Sequence, residues 1–244
     1  MEDNHICKPI LFNTEMVRAI LDGRKTQTRR LVKPHYHDGD AGFNVVTMAN
    51  TGAFCYIEYY DEDERSTERR MNPPYNRDDI LWVRETWRTE TVWQGSYIGY
   101  EIAYKAGGQE TFAGFPPMLP NEKGFWHPSI HMPKKAARIF LQVKGVHAER
   151  LQDIDEDSVC DEGAERIISA CEHMDYGVMP PEPCFNVKPC NDCIINHSYP
   201  ELFGKMIWDK TLKKADIPCF GWDANPWVWV IEFERCEKPE GWPT

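Results

Sequence analysis

At 244 residues, with 41% hydrophobic and 12% aromatic side chains, the chain can bury a substantial core as one large domain or two small ones, which excludes global disorder. Its formal net charge of −11 argues against a surface that grips duplex nucleic acid as a whole, and no run approaches the ~20 apolar residues of a membrane span. Nine cysteines, an odd number, and an N-terminus without the basic-then-apolar pattern of an export signal lead to the expectation of a soluble cytoplasmic protein with reduced thiols.

Along the chain, Met16, Val17, Ile20 and Leu21 recur at the spacing of one helical face, with Thr14 placed to cap the first turn and Gly23 to stop it. Residues 26–32 then read as a strand, so Gly23-Arg24-Lys25-Thr26-Gln27-Thr28-Arg29-Arg30 is a helix-to-strand junction rich in Lys, Thr and Arg. That junction is either a solvated basic edge or a polar pocket for an anionic or hydrogen-bonding ligand. Residues 79–85 form the next expected strand, with Leu81, Val83 and Glu85 on one side; Glu85 ends an apolar row or pairs with an arginine there. Residues 97–106 and 138–146 read as strands, the first followed by a Gly107-Gly108 turn. Between them, Phe115-Pro116-Pro117 through Trp126-His127-Pro128 reads as a packed loop.

Asp153 or Asp155 can cap a helix running to about Ala170, on which Val159, Glu162, Gly163, Arg166 and Ile167 share a face. Glu162 on that buried stripe either pairs with Arg166 one turn on or is a carboxyl of raised proton affinity that trades protons. Ser198-Tyr199-Pro200-Glu201 opens a further helix with an apolar stripe of Leu202, Phe203, Met206 and Ile207. The last strand, residues 227–234, aims Trp227, Trp229, Ile231 and Phe233 one way and closes the core. Strands of mixed spacing with helices at the joins, and no repeated strand-helix-strand unit, predict an α+β fold: a small mixed β-barrel with peripheral helices in a single domain, residues 1–244.

There is no Gly-rich phosphate loop, no Gly-x-Ser-x-Gly elbow and no His-Glu-x-x-His helix, so the commonest NTPase, hydrolase and zinc-protease chemistries have no support. Cys184, Cys190, Cys193 and His197 sit in a Pro-rich stretch at spacings that suit tetrahedral structural zinc, with Cys171 or His173 as substitutes and free thiols as the alternative.

The Gly23-Arg24-Lys25-Thr26-Gln27-Thr28-Arg29 segment, the Asp78-Asp79-Ile80-Leu81-Trp82-Val83-Arg84-Glu85-Thr86-Trp87 segment and the closing strand together resemble the ASCH domain family, whose fold is similar to the PUA RNA-binding barrel. Residues 126–139 resemble the long members carried by phages and prophages, with inserted segments at about 44–74 and 171–197. Small members of this family remove the acetyl group from N4-acetylcytidine with a Lys, a Thr and a Glu. The resemblance implies those roles for Lys25, Thr28 and Glu162, with no cofactor in catalysis. Arg30, Glu85, Trp87 and His131 are the expected substrate-binding residues, and a nucleoside or single-stranded RNA the expected partner. A ribonuclease and a nucleic-acid-binding module without turnover are the alternatives. One geometric demand follows: in an ideal strand Thr26, Thr28 and Arg30 share a face and Lys25 points away, so the trio needs a bend after Gly23.

Overall fold

The computed structural model describes residues 7–47, 55–94, 97–113, 125–164, 174–175, 182–183 and 199–243. In chain order these form β1 (Cys7–Leu11), α1 (Thr14–Leu21), β2 (Gln27–Leu31), β3 (Gly42–Thr47), β4 (Cys55–Tyr60), β5 (Ser66–Met71), β6 (Ile80–Arg84), β7 (Trp87–Gln94), β8 (Tyr97–Tyr104) and β9 (Gln109–Ala113). Short 3-10 turns at Ser129–His131 and Lys134–Ala136 lead into β10 (Phe140–Arg150), followed by α2 (Glu156–Asp161) and the two-residue strands β11 (Met174–Asp175) and β12 (Glu182–Pro183). Last come α3 (Tyr199–Leu202), a π-helical stretch Phe203–Trp208, α4 (Asp209–Thr211), α5 (Ile217–Phe220) and β13 (Trp227–Cys236).

The class is mixed α+β. Its centre is a five-stranded sheet of order β1-β6-β10-β13-β2, in which β1 runs parallel to β6 and the other neighbours are antiparallel. Two three-stranded antiparallel meanders, β3-β4-β5 and β7-β8-β9, flank it in the chain, and among the described residues no pairing joins β1 to β2. No helix among the described residues is long and apolar enough to cross a membrane.

Both faces of the central sheet are covered, which is why β13 reads as an almost unbroken apolar run. Trp229, Ile231 and Phe233 join Ile10, Leu81 and Val143 in one cluster, to which α1 adds Val17 and Ile20 and β4 adds Ile57 and Tyr59. Val228 and Val230 point the other way, onto Leu151, Ile154, Val159, Phe203, Trp208 and Trp222. A third cluster gathers Trp82, Trp87, Tyr104, Met132 and Phe140 around Trp242 from the C-terminal tail, whose indole N–H donates to Lys134 O at 3.1 Å. The segment at 44–74, expected as an insertion, thus contributes strand β4 to the main core.

Three expected helix features change. Asn13, not Thr14, caps α1: it holds extended backbone, and its Oδ1 accepts from Met16 N at 2.9 Å one residue earlier than periodicity places the start. The helix expected to reach Ala170 ends instead at Glu162, because Gly163 turns left-handed at φ +88°. The stripe at 202–207 lies largely in π-helical rather than α-helical backbone, and Gly204 is what lets that stretch approach its neighbour: a Cβ there would lie 2.0 Å from the Trp222 ring. Gly204→Ala should therefore overpack this contact and lower stability by about 1–3 kcal/mol, read as a reduced urea midpoint at unchanged m-value.

Candidate active site

The site is built on the outer edge of β2. One side of β2 is paired with β13, with Thr28 opposite Ile231, and Phe233 N donates to Thr26 O at 2.8 Å. The other side would be a row of unpaired backbone groups, and the end of α2 covers it. Asp155 starts that helix by accepting from Ser158 N at 2.7 Å. At the far end Thr26 N donates to Asp161 O at 2.8 Å, Lys25 and Glu162 form an isolated antiparallel bridge, and Arg29 N donates to the Glu162 carboxylate at 2.6 Å. A carboxylate thus stands where a neighbouring strand would place a carbonyl.

The bend that the trio needs is present. Gly23 is left-handed at φ +75°, and the amides of Arg24 and Lys25 both donate back to Ala19 O, at 2.8 and 3.1 Å, so the chain still wraps the end of α1 at Lys25 and becomes strand only at Gln27. The Lys25 side chain then runs inward. It is 2% exposed, and Nζ donates to Glu162 Oε2 at 2.5 Å and to Glu162 O at 2.8 Å. Burial lowers the proton affinity of this amine below the ordinary 10.5; Glu162 pulls it back up, and Arg30 and Arg29 push it down further. The other carboxylate oxygen, Oε1, receives Arg29 N and, at 3.3 Å, Arg29 Nη1. Gly163 packs where a Cβ would meet Ala19 Cβ at 2.8 Å and Lys25 Cβ at 3.0 Å, so the turn after Glu162 needs glycine for both space and φ.

Thr28, Arg29, Arg30 and Glu162 line a cavity of about 780 Å³, within the ~300–1,000 Å³ range of small-molecule sites. Phe12 and the start of α1, Asn13 to Met16, form a second wall; Phe203, Met206, Ile207 and Trp208 form a third, with Lys210 beyond them. Lys25 meets this space through Glu162 and lies 5.8 Å from the centre of the Phe12 ring. Thr28 and Glu162 thus share the wall of one cavity, and Lys25 reaches it only through its contact with Glu162. Arg30 also lines it, half-buried, with Nη2 donating to Leu11 O at 2.7 Å and its guanidinium 5.2 Å over Phe12.

The other three expected substrate-binding residues are placed elsewhere. Glu85, 1% exposed, is held by Arg138 through two bonds, from Nε at 2.8 Å and Nη2 at 3.0 Å; burial raises its proton affinity and Arg138 opposes that. This is the arginine partner that the strand-end reading offered as its alternative. Trp87 is 0% exposed, packed in the third core cluster with its ring 5.0 Å from His127. His131 is exposed at the end of a 3-10 turn, while its neighbours Pro128 and Ser129, with Thr86, reach the cavity. Cys184, Cys190, Cys193 and His197, with Cys171 and His173, lie outside the described residues; among the described residues no cluster of His, Cys, Asp or Glu is arranged to hold a metal.

Sequence reasoning missed Arg29, which binds Glu162 through both main chain and side chain, and Phe12, Phe203, Trp208 and Lys210 on the walls. Arg29 was legible only as one basic residue among several. Comparison with family models, with curated proteins and with solved structures finds no match to this chain.

Glu162→Ala should destabilise the fold by about 3–5 kcal/mol, since it strands a buried ammonium and exposes the β2 edge; Lys25→Met/Glu162→Leu should recover a large part of that loss, as chemical denaturation at pH 7 can measure. The sign with pH also follows. The folded chain holds the Lys25 proton less tightly than the unfolded chain, so stability rises with pH through the window that ends at 10.5, and Lys25→Met should flatten that rise in urea midpoints.

Proposed function

We propose that this protein is an amidohydrolase of the ASCH-like kind that removes the acyl group from an N4-acylated cytidine, with Thr28 as nucleophile, Lys25 as its base and Glu162 as proton donor to the leaving amine. On this reading the five-stranded sheet and its helices are a variant of the ASCH-type barrel. The observation that carries the proposal is the buried Lys25–Glu162 contact, made where the chain enters the strand that bears Thr28, with Thr28 and Glu162 on the wall of one cavity.

The chemistry balances on these groups. Transfer of a proton from Nζ to Oε2 within the 2.5 Å contact leaves a neutral amine, a change that desolvation of Lys25 favours and the Arg29 bonds to Glu162 resist. Thr28 Oγ1 bonds to the acyl carbon as its proton passes to Lys25; the C–N4 bond breaks as the Glu162 proton passes to the departing amine. Water then attacks the acyl-threonine ester, giving its proton to the Glu162 carboxylate, and the Lys25 ammonium returns a proton to the Thr28 oxygen. Glu162 returns its proton to Lys25 and the acetic acid formed loses its proton to solvent, so acetate, cytidine and the starting ion pair result. Phe12, Phe203 and Trp208 supply flat apolar surface for a base, and no metal enters the reaction. Structural zinc on Cys184, Cys190, Cys193 and His197 is a separate proposal that elemental analysis of the purified chain decides.

Incubation with N4-acetylcytidine should yield equimolar cytidine and acetate by chromatography. Thr28→Ala and Lys25→Ala should each cut kcat at least ~10²-fold. Because the reactive state, neutral Lys25 with protonated Glu162, carries the same number of protons as the resting ion pair, kcat/KM should fall along an alkaline limb that begins below 10.5 as the pair loses that proton, an apparent constant that belongs to the Lys25–Glu162 pair. Salt-sensitive binding of single-stranded RNA with no product from wild type would overturn hydrolysis in favour of a binding module.

A further inference from the structure

A continuous line of ionisable groups leads from the buried pair to solvent across one face of the sheet. Arg29 binds Glu162 through its main-chain N–H and Nη1, and turns its other side, Nε at 2.9 Å and Nη2 at 2.8 Å, to Glu149 Oε1 on β10. Glu149 Oε2 lies 3.4 Å from His147 Nε2, and His147 Nδ1 lies 3.8 Å from Glu232 Oε1 on β13. Register makes the row: His147, Val230 and Arg29 stand opposite one another on adjacent strands, and Glu149 is one pleat further on the same face. A bulge at Lys144 sets Gly145 opposite Glu232, where a Cβ would come within 3.0 Å of Glu232 Oε2, so a missing side chain gives that carboxylate its place. Arg29 is nearly sealed, at 2% side-chain exposure, Glu149 is at 19% and His147 at 41%, so accessibility rises step by step outward.

We propose that Glu149 and His147 are positioning residues of the Lys25–Glu162 site: Glu149 draws the Arg29 guanidinium away from Glu162, and a proton on His147 weakens that hold. Among the described residues, further charged groups face this row. On β10 Lys144 is paired with Glu234 of β13, and on β2 the Gln27 amide reaches Asp161 of α2. Asp155, which opens α2, also acts on Arg29 and is committed to Ser158. Glu149 has its proton affinity raised by burial and lowered by more through His147 and Arg29, the two groups that compete for it.

The direction follows from the competition. A histidine ordinarily changes charge between pH 5 and 8. When His147 is protonated it takes a larger share of Glu149, Arg29 turns its charge to Glu162, and the carboxylate is less able to accept the Lys25 proton. The kinetic consequence rests on the amidohydrolase reading; the electrostatic coupling does not.

Two measurements test it. The first is NMR titration of the His147 ring, its signal identified by loss in His147→Gln. Coupling is reciprocal, so Glu162→Gln, which leaves Arg29 to Glu149 alone, should lower the His147 titration midpoint by about 0.3 unit or more, a twofold coupling. The double variant Lys25→Met/Glu162→Gln repeats the measurement if the single one folds poorly. An unmoved midpoint in the folded variants overturns the proposal whatever the enzyme hydrolyses. The second is the rate profile: kcat on N4-acetylcytidine should fall on the acid side between pH 5 and 8 with KM unchanged, and His147→Gln should remove that limb while Glu149→Gln lowers kcat about tenfold throughout. A limb that persists in His147→Gln overturns the proposal. A shifted midpoint with no hydrolysis by wild type upholds the coupling and overturns the amidohydrolase reading alone.

Discussion

The contact between Lys25 and Glu162 is the constraint on which the arrangement of α1, β2 and α2 around the cavity depends. Taking an ammonium and a carboxylate out of water costs several kcal/mol each, and their attraction repays it only when every remaining donor and acceptor is served. Here it is served closely: the amine donates to both the carboxylate and the carbonyl of residue 162, and the second carboxylate oxygen takes two N–H groups from Arg29. The same glutamate closes the free edge of β2, so one side chain satisfies a charge, a strand edge and a helix end together. Helix α1, strand β2 and helix α2 cannot shift independently without breaking that arrangement.

Such a pair is a poor way to gain stability, since apolar replacements of similar volume often do as well. On the proposed reading its value lies in the dry, short contact through which the Lys25 ammonium can pass a proton to Glu162. Burial lowers the lysine, Glu162 pulls it back up, and Arg30 and Arg29 push it down further. In the proposed reaction the chain uses that balance once to free Thr28 and once to release the amine, without a metal or a histidine at the reacting atoms. The cavity beside the pair has its apolar walls from two distant parts of the chain, Phe12 with α1 and the π-helical stretch with Trp208.

The supporting fold works by covering both faces of the central sheet. On one face α1 and the β3-β4-β5 meander bury Trp229, Ile231 and Phe233; on the other α2 and the C-terminal helices bury Val228 and Val230. Because β2 is the edge beside β13, it is held between α1 and α2 at the margin where the two layers meet. An edge strand there can offer one side to the sheet and the other to a cavity-lining carboxylate, which a central strand cannot do.

The sequence by itself determined the helix that Gly23 stops and the strands around residues 27–31, 80–84 and 227–236, because periodicity and glycine geometry are local; of the three residues that the family resemblance singled out, Thr28 and Glu162 line the cavity and Lys25 is joined to it through Glu162. It left open whether Glu85 bound ligand or an arginine, and only the fold, by bringing β6 beside Arg138, decided for the arginine. It foresaw neither the strands of residues 42–71, whose core cluster draws in residues as distant as Ile231 and Phe233, nor the arrest of α2 at Gly163, where the turn is fixed by contact with Ala19 and Lys25 far away in the chain. Arg29 and the row behind it were invisible for the same reason: their meaning lies in strand register between β2, β13 and β10, and register is set by packing on both faces of a sheet rather than by any residue's neighbours in sequence.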